Sequence, residues 1–382
     1  MKITRRFPVV EIRGSHFEMG RQHGLQCRRM IHDLAARIDN LFLGDQGHRR
    51  DAHRAIAEAL PIVRAAAPEL VEEVQGIAVG ADMSFDDVFR LNCSAEMSQW
   101  QGCQEGTAAV SISDQCTSFA ARTVSGTLVA WNMDWYQQLL PYMVLLKGQP
   151  KAGPAFLAFA LTGSVGRPGL SEHIAISANQ LPYRPTETPP ESGPIWAGPG
   201  VPYCFMSRML LQQNSTHAAL ELIGRTRRML CLNYTLGDAM GDICCVETSP
   251  AAHAVVSCDE GFVVHSNSYH SPTFHGMSES DRKERDPRAH TAHAMLCEHS
   301  SRLDRQAIHA VQMYHFPGQE TGICHHGEQK GRQTISLLSF AAEVGHGRMW
   351  AAYGPPCEHE FVLYELSASK GRNVAVPDFE AG

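Results

Sequence analysis

A cysteine at position 116 precedes two short runs of strand-forming residues, 117–124 and 127–131, which a Ser-Gly pair separates. A two-residue turn of this kind predicts a β-hairpin with Cys116 at the start of its first strand. If the chain is cut between Gln115 and Cys116, that cysteine carries both a thiol and an α-amine. The amine, whose reference pKa is about 7.7–8.0, can take the thiol proton. One residue would then supply the nucleophile and the base of an acyl-transfer reaction.

Asn132 and Asp134 lie in the segment Trp-Asn-Met-Asp-Trp that closes the predicted hairpin. Strand pairing is expected to return their side chains toward Cys116, where they would position the nucleophile and stabilise charge. The apolar residues on either side of Asp134 would desolvate its carboxylate, which then needs a cationic partner such as the α-amine. The alternative is an aspartate that only caps local backbone.

Asn233 lies in a strand-like run of apolar residues. A buried asparagine costs free energy unless its amide is hydrogen-bonded. It therefore indicates either a structural network or a donor aimed at the oxyanion of a tetrahedral intermediate.

A series of motifs follows in a fixed order along most of the chain, and Cys116 lies among them. They are 14–24, 131–135, 232–241, 245–250, 265–269 and 354–357. Together they resemble the acyl-coenzyme A:6-aminopenicillanic acid acyltransferase family, whose members are autoproteolytic cysteine N-terminal-nucleophile (Ntn) hydrolases. The resemblance implies an α+β fold, a four-layer αββα sandwich with a helical N-terminal segment. It places the catalytic cysteine at Cys116, the catalytic aspartate at Asp134 and the oxyanion-hole asparagine at Asn233.

The family resemblance also implies autoproteolysis of one domain, 1–382, into a mostly helical chain 1–115 and a chain 116–382 that remain together as an αβ heterodimer. The family usually has glycine before the nucleophile, whereas Gln115 would be strained at positive φ. Gly102-Cys103 imitates the usual pair, but no hairpin and no Asn-x-Asp follow it. Two alternatives remain: an uncleaved, non-catalytic ligand-binding protein on the same scaffold, and a papain-like protease that uses Cys103.

Three further residues are candidates for substrate binding. The resemblance suggests a serine and an arginine near the site, matched by Ser280 and Arg282, and a bidentate pair from Arg282 would hold a carboxylate. Arg285 and Arg288 are close by, and a solvated helix face is the alternative. Trp196 lies in a proline-rich stretch that is either a surface connection or a lid over the acyl pocket.

The expected substrate is a small N-acyl amide or a thioester, attacked through an acyl-cysteine intermediate. Water or an amine accepts the acyl group, so hydrolysis and acyl transfer both remain open. No cofactor is expected, although an acyl-coenzyme A thioester is a candidate co-substrate.

Composition narrows the classes of partner. The chain has 382 residues, with 33 basic residues against 40 acidic ones and a net charge of −7. No basic surplus is available for a phosphate backbone, so nucleic acid is not an expected partner. Because no apolar run reaches about 18 residues and the N-terminus soon turns polar, we expect no membrane association and a cytoplasmic protein.

The twelve cysteines are dispersed, which favours buried thiols over a disulfide framework. The histidines at 265, 270 and 275, and the pair at 325–326 beside Cys324, show neither a helical i, i+4 spacing nor a Cys-x-x-Cys partner. The sequence therefore predicts no metal site.

The hydrophobic pattern divides the chain into two regions. Helical periodicity is expected at 17–31 and again at 52–79, with interruptions at Pro61 and Pro68. Strand patterns begin after residue 107. In an autoproteolytic sandwich both regions belong to one domain.

Overall fold

The structure is a computed structural model that describes residues 2–43, 46–104, 116–182, 199–257, 261–274, 286–299, 303–329 and 331–366. The helices are α1 (His16–Phe42), α2 (Gln46–Ala66), α3 (Pro68–Ala81), α4 (Phe85–Leu91), α5 (Ser94–Gln104), α6 (Tyr203–Leu211), α7 (Thr216–Arg225), α8 (Pro287–Glu298) and α9 (Arg305–Gln312). None of these helices combines the length and the apolar character needed to cross a bilayer.

Fifteen strands are found in the described residues. They are β1 (Val9–Gly14), β2 (Thr117–Thr123), β3 (Gly126–Tyr136), β4 (Met143–Pro150), β5 (Phe156–Leu161), β6 (Gly169–Ser171), β7 (Ile174–Gln180), β8 (Leu232–Asp238), β9 (Ile243–Thr248), β10 (His253–Val256), β11 (Phe262–His265), β12 (His326–Gln329), β13 (Arg332–Glu343), β14 (Arg348–Tyr353) and β15 (Val362–Glu365).

The strands form two sheets. The first has the order β1-β4-β5-β6-β7-β8-β9-β10, and the second has the order β11-β2-β3-β13-β14-β15, with β12 also paired to β13. Strand β1 runs parallel to β4, while the other named pairs are antiparallel. Antiparallel neighbours need only short connections, which suits the many short strands of this chain.

The two sheets face each other and helices cover both outer faces. Strands β2, β3 and β11 pack against β7, β8 and β9 across the interior. The ring of Phe159 on the first sheet stacks on that of Phe340 on the second, with centroids 5.6 Å apart. Helices α1, α6 and α7 pack on the first sheet, and α8 and α9 pack on the second. The predicted α+β fold with four αββα layers is confirmed.

The hairpin that carries Cys116 differs in detail from the prediction. Thr123 pairs with Gly126, so the two loop residues are Val124 and Ser125 instead of the Ser-Gly pair. Strand β3 continues to Tyr136, which places Asn132 and Asp134 inside a strand and not at the end of one. The sequence alternation is lost there because nearly every side chain of β3 is buried.

Of the two interruptions predicted in the N-terminal helices, the one at Pro68 is confirmed and the one at Pro61 is not. Pro61 lies inside α2, which continues without a break to Ala66, so that prediction is wrong. Pro68 is the first residue of α3, a position where the missing N–H costs nothing.

Helices α1 and α3 cross at very short range through two pairs of glycines. A Cβ added to Gly20 would lie 1.9 Å from the carbonyl oxygen of Glu73, and one added to Gly24 would lie 2.3 Å from that of Ile77. From this crossing the buried carboxylate of Glu73 reaches α6, where it accepts a hydrogen bond of 2.9 Å from Arg208. The glycines therefore set the close packing of α3 against α1.

Candidate active site

Cys116 lies directly before β2, on the floor of a cavity between the sheets and the N-terminal helices. Its side chain is 4% exposed, and its Sγ lies 3.9 Å from the backbone carbonyl oxygen of Asp134 on the neighbouring strand. Thr117, the next residue, pairs with Asn132. The hairpin therefore brings the predicted cysteine and aspartate together, as the sequence indicated.

The cavity beside Cys116 is small and mainly apolar. The space open to the centre of a water molecule is about 50 Å³, enough for a few waters. Trp131, Met133 and Trp135 of β3 form one side, and Leu232 of β8 lies on another. A wall of this composition suits an apolar acyl group.

Asp134 places a buried carboxyl group on the cavity wall. Its Oδ1 accepts a hydrogen bond of 2.6 Å from the Ser336 hydroxyl, while its Oδ2 is buried with no hydrogen-bond partner among the described residues. Burial raises the pKa of Asp134 to about 8, and the Ser336 hydrogen bond and the charge of Arg288 only partly oppose this. The carboxyl group of the intact chain thus has one oxygen available for a cation.

A β-bulge directs Ser336 at this carboxyl group. Ser336 pairs with Asp134, yet the next pair joins Leu338 to Met133, so Leu337 is an extra residue in β13. Bulges bend a strand locally and often redirect a side chain near a functional site.

Asn132 is held by hydrogen bonds of its own. Its Nδ2 donates to the carbonyl oxygens of Gln312 and Ile323, at 2.9 and 2.8 Å, and its Oδ1 accepts from Gln312 at 3.2 Å. Both amide hydrogens are therefore used in joining β3 to the end of α9 and to the segment before β12. In this arrangement Asn132 positions the strand that carries Asp134, and a role in charge stabilisation stays a prediction.

Asn233 lies between the sheets, next to the cavity. Its Nδ2 donates to the Thr235 hydroxyl at 3.1 Å, and its Oδ1 is buried without a hydrogen-bond partner in the part of the chain that the structure describes. Thr235 in turn bonds Ser118 at 2.7 Å. Leu232, the preceding residue, faces the cavity instead. The structure thus places Asn233 in a polar network behind the cavity wall, and its oxyanion role stays a prediction.

The arginine that the structure brings to Cys116 is Arg288. Its Nη1 donates to the carbonyl oxygen of Cys116 at 3.0 Å, and its Nη2 donates to Asn267 at 3.1 Å. Pro287 is the first residue of α8, and the carboxylate of the N-cap Asp286 accepts the Ala289 N–H. The Asp-Pro pair is the sequence signal for this helix start. Gln115, Ser280, Arg282 and Trp196 lie outside the described residues.

Arg167 is a second cation that sequence reasoning missed. It is 3% exposed, it lines the cavity, and its Nη2 donates to the Ser94 hydroxyl at 2.7 Å. The guanidinium carbon lies 4.6 Å from the centre of the Trp135 ring, while the Nε is buried without a hydrogen-bond partner among the described residues. Only its tertiary position, after the bend that follows β5, identifies it.

Glu96 balances part of the charge of Arg167. The backbone N–H of Tyr203 donates to its Oε1 at 2.7 Å. Burial raises the pKa of Glu96 to about 7, against the lowering effects of hydrogen bonding to Tyr203 and the charge of Arg167.

Cys103, the alternative nucleophile, lies near the end of helix α5 and not at the start of a strand.

Comparison with known proteins places these residues in a family context. Residues 196–346 match the family model described as acyl-coenzyme A:6-aminopenicillanic acid acyl-transferase. A curated relative, the 40 kDa form of acyl-coenzyme A:6-aminopenicillanic-acid-acyltransferase from Emericella nidulans, is 23% identical over 275 residues, which are 70% of this chain and 71% of the relative. The resemblance to this family is confirmed. The matched region of the model includes Asn233 and Arg288 and does not reach Cys116.

The prediction of an enzyme of the acyltransferase type is confirmed at that level, since both matches are to acyltransferases. Among solved structures, a Caenorhabditis elegans ortholog of N-acylethanolamine-hydrolyzing acid amidase matches 60% of this chain and 93% of its own, with a TM-score of 0.43 and 16% identity. A variant of conjugated bile acid hydrolase from Clostridium perfringens matches 67% of this chain and 100% of its own, with a TM-score of 0.44 and 12% identity.

Proposed function

We propose that the chain is an autoproteolytic cysteine amidohydrolase or acyltransferase that cuts itself before Cys116 and then uses the new N-terminal cysteine as nucleophile. The observation that carries this proposal is the unpartnered Oδ2 of Asp134, a residue that lines the same cavity as Cys116. A buried carboxyl oxygen without a donor is costly, and an α-amine released at Cys116 would be a suitable donor.

In the self-cleavage step the Cys116 sulfur attacks the carbonyl carbon of Gln115. The C–N bond breaks, a thioester forms and the nitrogen of Cys116 takes a proton to become the α-amine. Water then hydrolyses the thioester, which returns the thiol and leaves a carboxylate on Gln115. Arg288 holds the carbonyl oxygen of Cys116, so the residue stays in place while its N-terminal bond is exchanged.

In the mature enzyme the α-amine takes the thiol proton and the sulfur attacks the substrate carbonyl. The negative oxygen of the tetrahedral intermediate needs donors, the role that we assign to Asn233. Collapse of the intermediate passes the proton to the leaving amine and leaves an acyl-cysteine. Water completes hydrolysis, or an amine completes acyl transfer. The acyl donor is a small N-acyl amide or a thioester, including an acyl-coenzyme A.

The substrate proposal rests on the cavity and the relatives together. The names of the matching family and of the relative refer to two substrates, an acyl-coenzyme A and 6-aminopenicillanic acid, the nucleus of the penicillins. Aromatic and aliphatic side chains would bind an acyl chain, and the buried guanidinium of Arg167 would favour an acyl group with a polar or anionic end.

Intact mass spectrometry tests the proposal. Wild-type protein is expected as two fragments that begin at Met1 and Cys116, held together as an αβ heterodimer in gel filtration. The Cys116→Ala variant should stay whole, and Cys103→Ala is the matched control that should still be cut. A wild-type chain that remains at 42.0 kDa through prolonged incubation would instead support an uncleaved ligand-binding protein.

A further inference from the structure

Four side chains with metal-ligand atoms meet at the edge of the second sheet, and none of the four lines the cavity. They are His315 after α9, Cys324 before β12, His326 at the start of β12 and Cys357 after β14. One ligand atom from each lies within 4.8 Å of every other. The Nε2 of His326 is 3.1 Å from the Cys357 sulfur and 3.6 Å from the Cys324 sulfur.

These separations fit the edges of one coordination tetrahedron. With Zn–S bonds of about 2.3 Å and Zn–N bonds of about 2.0–2.1 Å, tetrahedral geometry puts the ligand atoms about 3.3–3.8 Å apart. The two measured nitrogen–sulfur distances lie close to that range. A set of two thiols and two imidazoles also selects zinc over the oxygen-preferring cations.

The ring nitrogens of His315 and His326 give independent evidence for a bound metal ion. The Nε2 of His315 is buried without a hydrogen-bond partner among the described residues, so a polar atom at this position lacks compensation. The Nδ1 of His326 lies 3.9 Å from a carboxylate oxygen of Glu358. A carboxylate behind a ligating histidine is a common way of fixing its orientation.

We propose that His315, Cys324, His326 and Cys357 bind one structural zinc ion. All four positions would come from the protein, which is typical of a closed structural site and leaves no coordination position for a substrate. The ion would join the segment between α9 and β12 to the turn after β14, where Cys357 lies 31 residues beyond His326.

The site would also fix the segment that supports the candidate active site. The carbonyl oxygen of Ile323 accepts the hydrogen bond from Asn132 at 2.8 Å. The backbone N–H of His325 donates to Ser336 at 3.0 Å, and Ser336 donates to Asp134. Cys324 and His326, two of the proposed zinc ligands, flank His325 in sequence. Zinc bound by them would therefore hold in place Ser336, which donates the hydrogen bond to Asp134. Metal binding itself does not depend on the proposed reaction of Cys116.

The test is the metal content of the full-length protein, produced in zinc-supplemented medium and dialysed against a weak chelator. Inductively coupled plasma mass spectrometry, which measures the elemental metal content, should find about one zinc per chain. X-ray absorption should find two sulfur neighbours at about 2.3 Å and two nitrogen neighbours at about 2.0 Å. The absorption measurement uses the wild-type protein and does not depend on whether any variant folds.

Substitutions then locate the ion. Cys357→Ser and Cys324→Ser should lose their zinc in the same dialysis. Cys297→Ser is the matched control, because Cys297 also lies near a histidine, His293 at 3.6 Å, but is outside the cluster. Cys116→Ala should keep its zinc, which separates this site from metal bound at the nucleophile. Wild-type protein without zinc after growth in zinc-supplemented medium and dialysis, or a mapped disulfide between Cys324 and Cys357, would overturn the proposal.

Discussion

Replacement of Asp134 by asparagine in an uncleaved background should change how the stability of the protein depends on pH. In the intact chain burial raises the pKa of Asp134 from 3.8 to about 8. The folded state therefore binds its proton more tightly than the unfolded state does. Stability is highest below the unfolded pKa, and it falls as pH rises toward the folded pKa. Asparagine removes this titration and keeps an oxygen that can accept the Ser336 hydrogen bond.

The size of the effect follows from the interval between the two pKa values. Between about pH 5 and pH 8 the carboxyl group is ionised when the chain is unfolded and mostly protonated when it is folded, so each pH unit costs about 1.4 kcal/mol. The loss over that interval is at most about 4 kcal/mol. Cys116→Ala protein should show this loss, and Cys116→Ala/Asp134→Asn protein should lack it while keeping the smaller pH dependence that Glu96 contributes.

Urea unfolding followed by tryptophan fluorescence at both pH values measures this difference. Asp51→Asn in the same Cys116→Ala background is the control, since Asp51 is exposed on helix α2. Equal pH dependence of unfolding for Asp134→Asn and its parent would mean that Asp134 ionises at the same pH whether folded or unfolded. The reasoning from its burial would then be refuted.

Three further predictions concern the reaction and the fold. In mature enzyme, Asp134→Asn should shift the acidic limb of kcat/KM to lower pH, because the α-amine loses a negative neighbour that raises its pKa; a limb that stays in place would separate Asp134 from the amine. Asn233→Ala should lower kcat by about 10²–10³-fold if its amide donates to the oxyanion, and unchanged turnover would leave it a member of the inter-sheet network. Gly24→Ala should reduce the free energy of unfolding by roughly 3 kcal/mol or more, because its Cβ would lie 2.3 Å from a backbone oxygen. The control Gly224→Ala, whose added Cβ would lie 3.3 Å from a histidine ring atom, should be nearly neutral. Chemical denaturation measures both free energies.

Local patterns predicted the hairpin well, because its strands and its turn are neighbours in sequence. Cys116 and Asp134 were placed together for that reason, since the pairing of β2 with β3 is a short-range contact. The end of β3 was harder to predict: buried on both faces, it loses the alternation that marks a strand. The family resemblance supplied the four layers, which periodicity alone does not determine.

Long-range contacts limited the rest of the prediction. Arg288 reaches Cys116 across an interval of 172 residues, and Arg167 reaches the cavity only because β5 and its following bend lie beside the N-terminal helices. The grouping of Cys324 with Cys357 depends on the pairing of β13 with β14, which returns the chain to the same edge. No spacing rule for zinc ligands covers such an arrangement, so the sequence predicted no metal there.

The pairing of β1 with β4 joins the two sides of the proposed cut, as does the ion pair of Glu73 with Arg208. Before cleavage these contacts form within one molecule, at a local concentration that the connecting chain sets. After cleavage the same contacts join two molecules, so refolding becomes bimolecular and depends on protein concentration. An unfolded mature enzyme in dilute solution would then separate into fragments that rarely meet again. Its working lifetime would be governed by the rate of unfolding and no longer by an equilibrium between folded and unfolded chains.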